Sequence, residues 1–242
     1  MKKIMTLAAI FAAVMMGISS CNPDDTKPEQ KPDTEQSTDQ PTDEPAAVIT
    51  IDGDFADWDA LTDVATATCD PEANLTALKT LKAYADADAV YVYVEFVDEE
   101  IVDRAWTPLH VYLNADGSAE TGGYGDEFAE ATCEWSLEGA IFAEGAFCSY
   151  NPGLYPWEGE VGANGWSWGE SLYADFAEGA GKDNKYELKI TKENCEDIVW
   201  AETFGLGVDI QQSWESVGIL PNAACTDDNA AGLAALLSVT TK

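Results

Sequence analysis

The sequence predicts an all-β protein whose folded part, residues 48–242, is a single antiparallel, jelly-roll-like β-sandwich. Three observations carry the prediction. Apolar and polar residues alternate with a period of two through much of this region. Turn-forming residues recur every eight to twelve positions. Long helical periodicity is missing, so nothing supplies the crossovers that a parallel sheet requires.

The elements follow in chain order. "LKTLKAYADADAVYVYVEFVD" reads as two strands around Asp86-Ala87-Asp88, with Val90, Val92, Val94 and Phe96 on one face and Tyr91, Tyr93 and Glu95 on the other. In "PLHVYLN", Leu109, Val111 and Leu113 oppose His110, Tyr112 and Asn114. "EWSLEGAIFAEGAFCSY" predicts a hairpin turning near Ala143-Glu144-Gly145. "KYELKIT", "TFGLGVDIQQ" and a closing "LLSVTT" complete the strands. Helix is expected only as a short turn near "TKENCED" or in "NAAGLAAL".

The segment before residue 48 has another character. Lys2 and Lys3 precede an apolar run too short to span a bilayer, which closes on "ISSC" at Cys21. This resembles the lipobox of bacterial lipoproteins. The resemblance implies removal of residues 1–20 and lipidation of Cys21, the membrane being reached through that lipid alone. Residues 22–47 hold five prolines, eight acids and no large apolar side chain. They cannot bury enough surface to offset chain entropy, so residues 21–47 read as a disordered tether. Fully extended, it would reach about 80 Å. Acids just after the cysteine resemble the export signal of surface lipoproteins in glycan-foraging bacteria. The expected location is therefore the outer membrane, on the cell surface.

The chain carries 12 basic and 45 acidic residues, a net of −33. Such a balance excludes nucleic acid as a partner and favours cations and neutral ligands. Five cysteines follow Cys21 with no CxxC spacing, which argues against zinc and leaves one or two bridges or five free thiols open.

"ITIDGDFADWDAL" resembles the opening of family-nine-type carbohydrate-binding modules and their DOMON-like relatives. The likeness continues in order through "LKAYADADAVYVYVEFVDEE", "LHVYLNADGS", "YELKIT" and "FGLGVDIQQ". It implies a sandwich of carbohydrate-binding-module type, commonly calcium-stabilised, that binds sugars and catalyses nothing. Independently of it, Asp52-Gly53-Asp54 suits a turn, and Trp58 is expected in the core.

Two kinds of site are expected. In "LNADGSAETGGYGD", Asn114, Asp116, Ser118 and Glu120 place oxygens at every second position, and Asp126 follows a glycine-rich stretch. Calcium takes six to eight such oxygens. An EF-hand is excluded, because Gly117 and Gly125 stand at loop positions 4 and 12. The alternative is a plain solvated turn. The second site is aromatic. Tyr155, Trp157, Trp166 and Trp168 lie among glycines and prolines, which suggests loops, with Trp157 and Trp166 the exposed pair. Pyranose rings stack on such surfaces, although the same residues would also serve as a roof over the core. Gln211, Gln212 and Trp214, with Trp106, would complete a sugar-binding edge.

His110, the single histidine, is expected as a satisfied strand residue rather than a catalytic base. No carboxylate stands in an apolar context that would raise its pKa, Glu134 and Glu138 being read as outward-facing. The expected function is a non-catalytic, surface-tethered glycan-binding lipoprotein, with oligo- or polysaccharide and other surface glycan-uptake proteins as partners. The alternatives are an adhesion module that binds another surface protein, and a glycoside hydrolase.

Overall fold

The structure, a computed structural model, describes residues 48–97, 106–172 and 175–242. Residues 1–20, Cys21 and its tether, Arg104 and Tyr173 lie outside the described residues. The fold is an all-β sandwich of two antiparallel sheets. The first has five strands in the order β1 (Ala65–Thr68), β2 (Leu78–Ala85), β3 (Ala89–Phe96), β9 (Lys185–Thr191), β8 (Ala177–Lys182). The second has seven. Its path runs β11 (Glu215–Leu220), β10 (Thr203–Gln212), β4 (Trp106–Asn114), β5 (Trp135–Ala143), β6 (Ala146–Phe147). Beside that path, β12 (Leu237–Thr240) pairs β10 and β7 (Gly153–Pro156) pairs β5.

The period-two pattern sets the core. Val90, Val92, Val94 and Phe96 of β3 meet Leu109, Val111 and Leu113 of β4 across the sandwich, with Leu206, Val208 and Ile210 of β10 in the same cluster. The turn after β5 forms at Glu144 and Gly145, both with positive φ, as its two-residue length requires. Three strands read poorly in sequence. β1 and β8 are runs of small residues, and β7 lies inside the expected loop. At Gly181 of β8 a side chain would strike Tyr186 and Phe147, so only glycine fits. The helix expected in "NAAGLAAL" does not form, whereas "TKENCED" gives one 3-10 turn, Lys192–Asn194. A one-turn helix, α1 (Ala56–Ala60), appears where none was expected. Five residues are too few to be stable alone, and packing of Trp58 holds them. The five cysteines of the domain are free thiols.

Residues 48–61 cover the outer face of the five-stranded sheet. Trp58 is 2% exposed and packs with Ile49, Ala89, Tyr91 and Tyr93 in a second apolar cluster, as expected of it. One buried carboxylate fastens this cover. Glu187 accepts the Asp52 and Gly53 N–H groups on Oε1 at 3.1 and 2.8 Å, and the Trp58 indole N–H on Oε2 at 2.9 Å. Gly53 has φ +79°, which lets both N–H groups turn toward the same oxygen. Asp52 in turn caps the bend locally, accepting from the Asp54 N–H at 2.7 Å. The opening motif is thus a clamp whose receiving group lies 135 residues downstream.

Glu187→Ala leaves three donors without their acceptor and should cost about 3 kcal/mol. Glu187→Gln, which keeps one acceptor oxygen, should lose less. Denaturant midpoints measure both, and equal midpoints for wild type and Glu187→Ala would refute the clamp.

Candidate functional site

The outward face of the seven-stranded sheet carries a row of charge. Register places Asp209 of β10 opposite His110 of β4, and His110 opposite Glu138 of β5. His110 Nε2 lies 3.1 Å from Glu138 Oε2, and Nδ1 lies 3.7 Å from Asp209 Oδ2. Neither contact is a hydrogen bond in its geometry, the second being too long for one, so these are ion pairs. His110 and Asp209 are fully buried, and Glu138 keeps 20% of its side chain exposed. Burial alone would lower the histidine pKa, but Asp209 and Glu138 outweigh it and push the value up to about 9. Asp209 Oδ2 also accepts from Gln211 Nε2 at 2.8 Å and from Ser216 Oγ at 2.9 Å.

Aromatic groups stand on both sides of this row. Four residues before His110, about 13 Å along the strand, Trp106 lies against Trp214 with ring centroids 4.8 Å apart and planes at 46°. Trp214 is 67% exposed, at the tip of the β10–β11 hairpin. Ser213 and Trp214 both have positive φ, a conformation costly for a bulky residue that the two-residue turn imposes. On the other side Trp166, 61% exposed, stands edge-on over His110 at 6.4 Å and over Tyr124 at 6.1 Å. Beneath it Tyr112, Tyr124, Phe128 and Trp168 pack together. These exposed rings border a candidate cleft on the outward face, in which the charged row is buried except at Glu138.

The expected aromatic residues divide accordingly. Trp106, Trp166, Trp214 and Gln211 belong to the cleft, and half-buried Gln212 closes β10 just before the hairpin. Half-buried Tyr155 pairs across to Ser136, with the charge of Glu138 among the causes that raise its pKa. Trp157 is not exposed, contrary to expectation. Its indole lies so close to Gly123 and Gly159 that a side chain at either would collide with it. Its N–H bonds to Glu160 O at 3.1 Å, and it meets Trp168 edge-on. Trp157 and Trp168 therefore hold the covering loops together.

The acidic loop is also partly reorganised. Asn114, Asp116 and Ser118 share one network: Asn114 Nδ2 donates to Ser118 O, and Asp116 accepts from the Ser118 N–H and the Thr121 hydroxyl. Glu120 only offers its N–H to Ser118 Oγ. Asp126 lines a separate cavity of about 280 Å³ with Glu127, Ile219 and Asn222. The second carboxylate beside Asp116 is instead Glu134, which accepts the Ala115 and Asp116 N–H groups at 2.9 and 3.0 Å. Burial, then the hydrogen bond with Asp116, pushes Glu134 up to about 7. Burial opposes the shift at Asp116, but hydrogen bonds from Glu134, Ser118 and Thr121 lower its pKa. Among the described residues no three His, Cys, Asp or Glu side chains cluster as metal ligands.

Glu127 is the second acid missed in sequence. Burial and then the charge of Asp209 push it up to about 7, and it accepts a long 3.4 Å bond from Tyr124. Both acids correct the reading that no carboxylate has a raised pKa. Their apolar surroundings come from distant segments, so no local signal marks them. His110, Asp209 and Glu138 do share one: each is a charged or titratable residue at an outward position inside a strand.

No protein-family model matches the chain, and no curated protein matches it.

The folded chain holds these protons more tightly than the unfolded one, which fixes the sign of the pH dependence. The contribution of His110 is complete below its ordinary 6.5 and is lost as pH rises through about 9. Those of Glu127 and Glu134 are complete below 4.5 and are lost through about 7. The melting temperature should therefore fall steadily from pH 5 to 9, and Glu134→Gln should flatten the part below pH 7. A melting temperature that rises over this interval contradicts the assignment.

Proposed function

We propose that the chain is a non-catalytic glycan-binding lipoprotein of carbohydrate-binding-module type, tethered through Cys21 to the outer membrane and facing the cell surface. The observation that carries this reading is the pair of exposed indoles, Trp166 and Trp214, on the sheet face that holds the polar row. A monomer gains nothing by exposing large aromatic rings beside buried polar groups, whereas sugars need both. Their C–H faces stack on indole, and their hydroxyls bond to carboxylate and amide groups. The strained backbone at Trp214 points the same way, since strain of this kind collects at functional positions. The resemblance of the opening motif and of the strand order to family-nine-type modules supports the class of ligand. Membrane attachment rests on the lipobox and on the composition of residues 22–47. Other glycan-uptake proteins at the surface are its proposed neighbours.

Calcium is proposed as a structural ion of the acidic loop. Asp116 and Glu134 fit it as carboxylate ligands, and Asn114 Oδ1, buried without a partner, as an amide oxygen. This set replaces the wrap through Glu120 and Asp126. When bound, the ion would compete with the proton that Glu134 holds to about neutral pH and would stiffen the loop beside Tyr124.

Titration against a panel of neutral oligo- and polysaccharides should give binding that Trp166→Ala and Trp214→Ala each weaken at least tenfold, about 1.4 kcal/mol, with melting temperature unchanged. Full binding by both variants would refute the cleft. Release of reducing ends that disappears in Glu127→Gln would replace binding by hydrolysis. Millimolar calcium should raise the melting temperature at pH 8 and much less at pH 5.5, where protons compete for Glu134. An identical melting curve in calcium and in chelator at pH 8 would exclude the ion.

A further inference from the structure

The basic residues of the fold are partitioned between its two sheets. Lys79 and Lys82 lie on β2, Lys182 on β8, and Lys185 and Lys189 on β9, with Lys192 in the turn that follows. Lys242 ends the chain, its N–H bonded to Ala85 O at the end of β2. Every described lysine is thus on or beside the five-stranded sheet. Residues 105–181 and 193–241, which supply the whole of the seven-stranded sheet and its covering loops, contain neither lysine nor arginine, against 13 and 8 acids. Among the described residues of the cleft the single cation is His110, and Asp209 and Glu138 together exceed its charge. Asp209 Oδ1 and both ring nitrogens of His110 are buried without a hydrogen-bond partner, so the carboxylate of the row that a ligand can reach is Glu138, with 20% of its side chain exposed.

This sets the electrostatics of any ligand resting on Trp166 and Trp214. A sugar hydroxyl or ammonium group donates to Glu138. A carboxylate or sulfate would stand beside Glu138 with no counter-charge in the described cleft, and the low dielectric of the aromatic walls strengthens the repulsion. Burial gives Glu138 a defined position, because its Oε2 is held by His110 while its remaining 20% faces the cleft.

We propose that the cleft selects uncharged or amino-bearing glycans and rejects acidic ones, with Glu138 the residue that enforces the choice. The selection rests on the glycan-binding reading above and sharpens it to a class of ligand.

The test uses the full-length protein and glycans matched in backbone. The pairs are methyl-esterified against de-esterified homogalacturonan, hydroxyethyl- against carboxymethyl-cellulose, and xylan against glucuronoxylan. N-acetylated and free-amine chitin oligosaccharides probe the opposite charge. At about 20 mM salt the acidic member of any bound pair should bind about tenfold more weakly than its uncharged partner, and about 0.5 M salt should shrink the gap. Glu138→Gln should narrow the gap severalfold at low salt, with circular dichroism and melting reporting that the fold persists. An acidic glycan that binds as tightly as its partner, and loses binding in Trp166→Ala, overturns the selection while leaving the glycan reading intact. So does a gap that neither salt nor Glu138→Gln alters. Acid binding that vanishes in Arg104→Gln overturns it as well, since that arginine lies outside the described residues. Failure of every pair, charged and uncharged, removes the glycan reading itself and this inference with it.

Discussion

The site depends on one cation placed where a β-sandwich usually tolerates none. His110 is wholly buried on the outward face of the central strand β4, and only its two cross-strand neighbours make that possible. An uncompensated buried charge costs several kcal/mol, and Asp209, wholly buried, with Glu138 beside it, supplies the compensation. The pairing constrains what surrounds it. Asp209, with no exposure of its own, draws the Gln211 amide and the Ser216 hydroxyl inward and so orders the end of β10 and the start of β11. That hairpin positions Trp214. On the other side Tyr112 stacks on the imidazole at 5.8 Å and carries Tyr124 and Trp168 with it. The aromatic walls are therefore tied to the charged row beneath them.

The two outer faces of the sandwich are treated differently, and the contrast separates cover from cleft. Residues 48–61 close one face with Trp58 and Ile49, and the polar atoms there are satisfied internally through Glu187. The other face is only half closed. Phe128 and Tyr124 cover Tyr112, and Trp157 locks the loops above it. Beyond them Trp166 and Trp214 are left in solvent. Trp157 and Trp166, alike in sequence context, end half-buried and exposed respectively, the first with its ring close against Gly123 and Gly159.

Charge follows the same division. The lysines on the five-stranded sheet meet local acids, as in Lys79–Glu95 at 2.7 Å and Lys189–Glu178 at 3.7 Å. On the cleft side, among the described residues, the acids have only His110 and one another. Burial and then Asp116 keep Glu134 protonated to about neutral pH, and burial and then Asp209 do the same for Glu127. Proximity of like charges is thus relieved by protons on this face and by lysines on the other.

Much of the fold was legible because strand patterning is local. Alternation in "VYVYVEF" and "PLHVYLN" follows from the two-residue repeat of the strand, whatever its partners, and a two-sided β-architecture follows from it. The place of Trp58 in the core was likewise readable from residue type. The small-residue strands β1 and β8 and the helix α1 were not, since neighbours rather than their own propensities create them. The site was readable only in its parts. Trp106, Trp166, Trp214 and Gln211 could be singled out by type, but His110, Asp209 and Glu138 meet through sheet order and register. The same holds for Glu187 with Asp52, and for Glu134 with Asp116. By itself the sequence determined which residues point away from the core, because that depends on chain geometry at each position. Only the tertiary structure decided which of them face one another, because strand order is settled by burial summed over the whole sandwich.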